Sequence, residues 1–437
     1  MLSLLNEEIM KRSLSIIIPV KNEGRNIKPL LQQLRQTVDE LNVDYEVIVI
    51  DGISSDDTIY QAQKLADKII VQKKFGYGNA LKECFAIAEG DYILTMDGDL
   101  SHPPRFIKQM YGERKTAELV IASRYIPGGE AKMPYGRKLL SIILNKTFSI
   151  LLSLPLRDIS SGFRLYKADL LRKANIERED FSILEEIAIL FWNQGYRIKE
   201  IPFTYIPRIH GRSKAKLFAF GKSYLKTILS MWTLRNSCLA ADYDDRAFNS
   251  IIPMQRYWQR QRYKLIMKFL SNTGSVLDIG CGSSRIIKSL PRAVAFDISL
   301  DKLRYLRTTN PRLVNASIFK LPFSPEVFDE VICSEVIEHI PFHPDIFQGI
   351  NYVLKKGGTL LLGTPDYGRL RWRIIELFYG ILLPNAYYDQ HITHYNFPRL
   401  KRLLSEYGFK IESYAYVFGS ELIIKARKRH SISKLNA

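Results

Sequence analysis

Cysteine is scarce in this chain: four residues in 437, Cys84, Cys238, Cys281 and Cys333, far apart and without a CxxC pair. That excludes a disulfide framework and fits reduced thiols in the cytoplasm. Uninterrupted apolar runs of about 18 residues are also missing, so no spanning helix is expected. The nearest approach, residues 139–154, is broken by Asn145, Lys146 and several Ser and Thr. The opening MLSLLNEEIMKR carries acids where a secretory leader carries positive charge, so none is expected there. Zinc-finger spacing and RNA-binding signatures are lacking, and nucleic acid is not expected as a partner. There is no internal repeat and no low-complexity tract.

What is present is a globular composition, 46% hydrophobic and 25% charged, with a net charge of +18. Such a length calls for two domains, and such a charge for an anionic partner: a nucleotide substrate or an anionic membrane surface. SLSIIIPV (13–20), EVIVIDG (46–52), DKIIV (67–71) and DYILTMDGD (91–99) are short apolar runs separated by amphipathic helical stretches. That alternation predicts βαβ units and a parallel sheet, with ligands at the carboxyl ends of the strands. Pro19, Asn22, Glu23, Asp51, Asp97 and Asp99 all fall there. Near residue 236 a basic stretch gives way to the small, polar NSCLAADYDDRAFNS, and a second α/β series begins at Gly274. The expected organisation is a first domain over 12–235, a linker and lead-in helix over 236–262, and a second domain over 263–437.

In TMDGDLSHPP (95–104), Asp97 and Asp99 project to one side if the strand continues through Gly98, and could hold Mg²⁺ or Mn²⁺ against a diphosphate. A solvated acidic turn is the other reading of the same residues. The wider order decides between them. IIIPVKNEGRNI, VIVIDGISSDDT, GYGNALKECFAIAEGDYILTMDGDLSHPP, IASRYIPGG, RDISSGFRLYK, FSILEEI and GYRIKEIPFTYIPRIHGRSK together resemble family-2 glycosyltransferases of the GT-A fold, especially the dolichyl-phosphate mannose synthase group.

The resemblance covers about residues 13–217. It implies a GT-A nucleotide-sugar-binding domain and metal-dependent, inverting transfer of a hexose from a GDP- or UDP-sugar to a polyprenyl phosphate; the alternatives are transfer to a sugar or protein hydroxyl, or a membrane-bound non-catalytic adaptor. It implies donor contacts at Pro19, Asn22, Glu23 and Asp51, with Asp97 and Asp99 holding the metal. Arg124, Asp158 and Glu186 become catalytic candidates; Arg164, Arg208, Ser213 and Lys214 become acceptor-binding ones. Two positions depart from the family: Ser101 stands where Gln is common, and Leu184 replaces an acceptor-side Gln. Residues 216–235 and 136–146 offer amphipathic surfaces for peripheral attachment to the inner, cytoplasmic face of a membrane, or for closing a core.

In the second half, VLDIGCGSS is a strand running into a glycine-rich turn, and AVAFDIS ends a strand at Asp297, about twenty residues on. Alone, that pattern also suits a dinucleotide site. With LPFSPEVFDEVICSEVIEHI, LKKGGTLLLGTPD and HITHYNFPRLKRLLSEYGFKI it resembles class I S-adenosylmethionine methyltransferases over about residues 240–425. The resemblance implies a Rossmann-like fold and S-adenosyl-L-methionine held by Asp278, Gly280, Gly282, Asp297 and Ser317. Ser317 stands where an adenine-contacting Asp is usual, and Ser284 where a third glycine is common. His339, His391 and His394 are candidate bases for an O-methylation, each with a structural role as the alternative. The expected whole is a multifunctional enzyme serving one glycolipid or glycan pathway.

Overall fold

A computed structural model gives the structure over residues 12–207, 217–271, 274–310, 312–382 and 391–429, with backbone only in the helical stretches 217–225 and 378–382. The chain divides into two compact units: residues through Trp192 together with Tyr196–Trp232, and Thr233 onward with Asn193–Gly195.

In the first unit the β-branched runs form strands β1 (Leu14–Val20), β2 (Tyr45–Asp51), β3 (Lys68–Val71) and β4 (Tyr92–Thr95). They are joined by β5 (Leu119–Ser123), β7 (Arg164–Lys167) and β8 (Ile198–Pro202), and two short strands, β6 (Glu130–Ala131) and β9 (Thr204–Tyr205), pair apart from them. Among the described residues the main sheet has the order β3-β2-β1-β4-β7-β5-β8. The first four strands are mutually parallel and β7 runs against both β4 and β5. The helix Gly24–Asp39 buries Ile27, Leu30, Leu31, Leu34 and Val38, one face of a 3.6-residue period, in the core that also holds Ile16, Ile18, Val47 and Leu94. Because β1, β2 and β4 are parallel neighbours, their carboxyl ends open on one edge.

The second unit contains β10 (Val276–Ile279), β11 (Val294–Asp297), β12 (Leu313–Asn315), β13 (Phe328–Ser334), β14 (Leu354–Pro365), β15 (Phe409–Val417) and β16 (Glu421–Lys428). Their order is β12-β11-β10-β13-β14-β16-β15, parallel up to β14, with the β15–β16 hairpin laid antiparallel against it. This is the Rossmann-like arrangement. The helix Pro253–Phe269 crosses the expected boundary at 262/263 without a break, and its Ile266 belongs to the core beneath β10 and β11. The expected lead-in segment is thus built into this unit. All four cysteines are buried, and no disulfide joins any of them among the described residues. No helix among the described residues is long and apolar enough to cross a membrane.

Candidate functional site

The donor edge of the first unit is a mesh of short polar loops. Asp51 is buried at the end of β2 and accepts hydrogen bonds from the Ser54 amide (2.8 Å) and hydroxyl. Asn22, at φ 52°, donates its amide to Ser54 Oγ (2.7 Å) and accepts from the Ser55 amide through Oδ1 (2.7 Å). Glu23 donates its amide to Thr58 Oγ1 (2.8 Å), and its carboxylate accepts from Asn26 Nδ2 (2.6 Å). The loops after β1 and β2 are thereby locked together, with Pro19 in β1 paired to Ile50.

The strand carrying the acidic pair does not continue through Gly98. β4 stops at Thr95, and residues 97–100 turn, with Leu100 at φ 66°. Two side chains set that turn: the Asp97 amide donates to His102 Nδ1 (3.0 Å), and the Ser101 amide donates to Asp99 Oδ1 (3.0 Å). The close approach of β1 calls for glycine at position 98, since a Cβ there would lie 2.6 Å from Val20 Cγ1. Asp97 is 39% exposed while Asp99 is buried. Ser101 Oγ is fully buried and has no hydrogen-bond partner among the described residues. Two carboxylates and an orphaned hydroxyl within five residues form an all-oxygen set suited to a hard divalent cation.

The other expected residues divide. Arg124 and Asp158 form a buried bidentate pair, Nε to Oδ2 at 2.8 Å and Nη2 to Oδ1 at 2.6 Å, and the Arg124 amide adds a third bond to Asp158. A carboxylate so occupied is poorly placed to take a substrate proton. Glu186 is buried and accepts from the amides of Glu177 (3.1 Å) and Arg178 (2.9 Å), and burial raises its pKa. Arg164 corrects the expectation made for it. Its guanidinium is completely buried and donates to the carbonyls of Ser161 (2.6 Å), Leu184 (2.6 Å) and Ile159, so it braces the backbone instead of reaching an acceptor phosphate. Arg208, Ser213 and Lys214 lie outside the described residues, as do the side chains of Phe218, Lys222 and Leu225.

Two residues of the first unit escaped the sequence reading. His102 stacks on Phe163 (ring centroids 5.1 Å, 11°) and, accepting at Nδ1, carries its proton on Nε2, 3.7 Å from Asp97 Oδ2. Its place three residues after the acidic pair was the available signal. Tyr77, stacked on Phe181 at 4.2 Å, holds a buried hydroxyl with no hydrogen-bond partner among the described residues; burial and the charge of Asp97 push its pKa well above the usual value.

In the second unit the glycine-rich turn after β10 is shaped by two left-handed glycines. Gly280 has φ 65°, and a Cβ there would meet Val336 at 2.3 Å; Gly282 has φ 53°, and its Cβ would meet Asp244 Oδ2 at 2.3 Å. Asp297 accepts from the Gly282 amide (2.8 Å) and the Ser299 amide (2.7 Å), tying the turn to β11. Asp244, unforeseen from sequence, accepts from the Ser283 amide and Lys302 Nζ, both at 3.0 Å. Asp278 Oδ2 is buried without a hydrogen-bond partner among the described residues, and burial, then the neighbouring Asp297, pushes that carboxyl up to about 8.

A cavity of about 140 Å³ opens beside the turn, walled among others by Gly280, Trp258, Arg262, Glu335, Trp372 and His391. Glu335 sits at φ 59°, a costly conformation for a non-glycine residue, and is held by Arg262 at 3.0 Å. Ser317 does not line this cavity; its hydroxyl accepts from the Phe319 amide (3.4 Å). His391 lies in the wall, its Nδ1 against Tyr367 Oη (2.7 Å) and Glu376 (3.2 Å), and burial lowers its pKa. His394 is exposed and stacks on Tyr367. A buried carboxyl with one oxygen unpaired among the described residues, at the mouth of a glycine turn, fits a cationic nucleoside cofactor.

Comparison with known proteins follows the same division. Residues 15–174 match the model of glycosyl transferase family 2. An undecaprenyl-phosphate mannosyltransferase of Micrococcus luteus is 33% identical over 211 residues, 45% of this chain and 85% of that protein. The chain belongs to glycosyltransferase family 2. Its family-2 domain has the GT-A fold. A dolichol-phosphate mannosyltransferase of Pyrococcus furiosus is 34% identical over 216 residues, 46% of this chain; the chain spans 59% of that relative's length. Residues 253–414 match a methyltransferase domain, so the family-2 domain is followed by a methyltransferase domain of Rossmann-like fold. Among solved structures, glucosyl-3-phosphoglycerate synthase of Mycobacterium tuberculosis aligns with a TM-score of 0.42 and 19% identity, covering 50% of this chain and 80% of that one.

Proposed function

We propose that the family-2 domain transfers a hexose, with inversion, from a nucleotide sugar to a polyprenyl phosphate, and that the methyltransferase domain methylates an acceptor of the same glycolipid pathway. The observation that carries the first reading is the acidic turn at the end of β4, with Asp97, Asp99 and the orphaned Ser101 hydroxyl beside the locked donor loops of Asn22, Glu23 and Asp51. The likeness to an undecaprenyl-phosphate mannosyltransferase supports the lipid acceptor.

Asp97, Asp99 and Ser101 would hold Mg²⁺ or Mn²⁺, which when bound neutralises charge on the departing diphosphate. Asp51 and the loops after β1 and β2 bind and orient the nucleoside. His102 fixes the Asp97 backbone through its amide, so the acidic turn is set before a ligand arrives. A lipid phosphate is already ionised and needs no strong base, which agrees with Asp158 being committed to Arg124.

In the second domain Asp278, Gly280, Gly282 and Asp297 would hold S-adenosylmethionine, which supplies an electrophilic methyl group. The tryptophan-walled cavity beside them suits an acceptor with flat apolar faces, such as a sugar ring. Attachment to an anionic membrane surface is supported by the helix Tyr135–Leu151, whose exposed Leu139, Ile143 and Ile150 share one face with Lys146.

The test is mass spectrometry of products from GDP- and UDP-hexoses with polyprenyl phosphate, with and without S-adenosylmethionine. A hexose increment on the lipid, lost in Asp97→Asn and Asp99→Asn, is expected. Label that stays wholly outside the lipid phase would overturn the acceptor assignment.

A further inference from the structure

The proposed cofactor site leaves unused a group of side chains that reaches the wall of the methyltransferase cavity through His391. Glu338 and His339 end the short turn Ile337–His339 that follows β13, and His391 comes from a segment some fifty residues further along. Main-chain bonds fasten the two segments together. The amides of Ile392 and Thr393 both donate to the Glu338 carbonyl, at 2.8 and 3.0 Å, and Thr393 Oγ1 donates to the Ile340 carbonyl at 2.6 Å. One ligating atom from each of Glu338, His339 and His391 lies within 4.8 Å of the other two.

Two further observations bear on what this group is for. Glu338 is wholly buried; its Oε2 accepts from Thr364 Oγ1 (3.1 Å), but its Oε1 has no hydrogen-bond partner among the described residues. A carboxylate oxygen is not left bare in a protein interior without cost, and a cation is one way to compensate it. His391 has its Nδ1 engaged by Tyr367 and Glu376, which leaves Nε2 as the lone pair the ring can offer. A carboxylate behind one ring nitrogen is the arrangement that orients a metal-bound imidazole.

We infer that Glu338, His339 and His391 form a divalent-cation site in the methyltransferase domain, separate from the acidic pair of the family-2 domain. Two imidazoles and one carboxylate select a first-row cation such as Zn²⁺ over Mg²⁺ or Ca²⁺, which prefer oxygen alone. Three protein donors leave a coordination position open. His391 and Glu335 line the same cavity, and Glu335 Oε1 is also buried without a hydrogen-bond partner among the described residues. An oxygen of the methyl acceptor is the ligand suited to the open position; this last step rests on the methyl-transfer reading, whereas the cation site does not.

The experiment uses the full chain carrying Asp97→Asn and Asp99→Asn, so that the first domain contributes no carboxylate pair. After chelator treatment it is titrated with Zn²⁺ by calorimetry and with Co²⁺ by visible absorption. One equivalent bound, with visible Co²⁺ bands, is expected. Glu338→Gln, His339→Asn and His391→Asn should each weaken binding about tenfold or more, while His343→Gln, on an exposed helix cap, should leave it unchanged. Circular dichroism identifies which variants remain folded. Absence of a bound equivalent, or unchanged binding in folded His339→Asn and His391→Asn, overturns the site. S-adenosylmethionine binding is measured in parallel. Cofactor binding without cation binding defeats the site alone, and cation binding without cofactor binding defeats the methyl-transfer reading alone.

Discussion

Arg164 shows how a residue type in a matching position can carry a different task. As a sequence letter it is one more cation near an anionic substrate; in place, its guanidinium is sealed among three backbone carbonyls. Lysine has one ammonium and cannot span them. Arg164→Lys should therefore destabilise by about 3 kcal/mol or more, from buried carbonyls left unpaired. Urea denaturation reads that loss, and the KM for polyprenyl phosphate of the folded fraction should stay unchanged. A raised KM at unaltered stability would return Arg164 to the acceptor site. Asp278 supplies a pH dependence. Its folded pKa is raised to about 8, so between about pH 4 and 8 the folded state binds more protons than the unfolded one, and this group's contribution lowers stability as pH rises. A cationic cofactor favours the ionised form. Affinity for S-adenosylmethionine should thus improve with pH up to about 8, by about tenfold per unit at most, then level off. Isothermal titration from pH 6 to 9 checks this, and Asp278→Asn should flatten the profile.

Elements were more legible than side-chain roles, and for a physical reason. Strands announce themselves in β-branched runs, and the carboxyl ends of β1, β2 and β4 could be placed from those runs alone, with Asp51 and Asp97 at or just past them. What was not legible depends on contacts distant in sequence. The turn at 97–100 exists because His102, packed on Phe163, takes the Asp97 amide; nothing local to TMDGD says that the strand stops at Thr95. Likewise, the Glu338 oxygen and the His391 ring meet only because the turn after β13 and a late loop share main-chain bonds. The helix Tyr135–Leu151 joins both kinds of reading. Its sequence offered an amphipathic surface or a core contact, and the fold uses both, burying Asn145 and Phe148 while exposing Ile143 (51%) and Ile150 (64%). Moving such side chains into a bilayer interface is favourable by about 1–2 kcal/mol each. Ile143→Glu combined with Ile150→Glu should lower co-sedimentation with anionic vesicles at least about tenfold while leaving the circular dichroism spectrum unchanged. Equal sedimentation of variant and wild type would remove this helix from the membrane contact.

At the scale of the whole molecule, the question is why two chemistries share one chain. Nothing in the family-2 domain calls for a methyl donor, and nothing in the methyltransferase domain calls for a nucleotide sugar. Linkage confers an advantage only if the product of one site is a substrate of the other, because tethering raises local concentration without adding contacts. That condition can be tested by separating the sites genetically in the full chain. Asp99→Asn should abolish the hexose increment. Gly282→Ala, which places a Cβ 2.3 Å from Asp244 at a left-handed glycine, should abolish the methyl increment. If the methyl acceptor is the lipid-linked hexose, Asp99→Asn loses both increments when nucleotide sugar, lipid phosphate and S-adenosylmethionine are supplied, and regains methylation when lipid-linked hexose is added to them. A mixture of the two variants at low concentration should then give less doubly modified lipid than the same amount of wild-type chain, because the intermediate must travel between molecules. Equal yields would show that the tether confers no kinetic gain, and methylation that persists in Asp99→Asn without added lipid-linked sugar would place the methyl acceptor elsewhere.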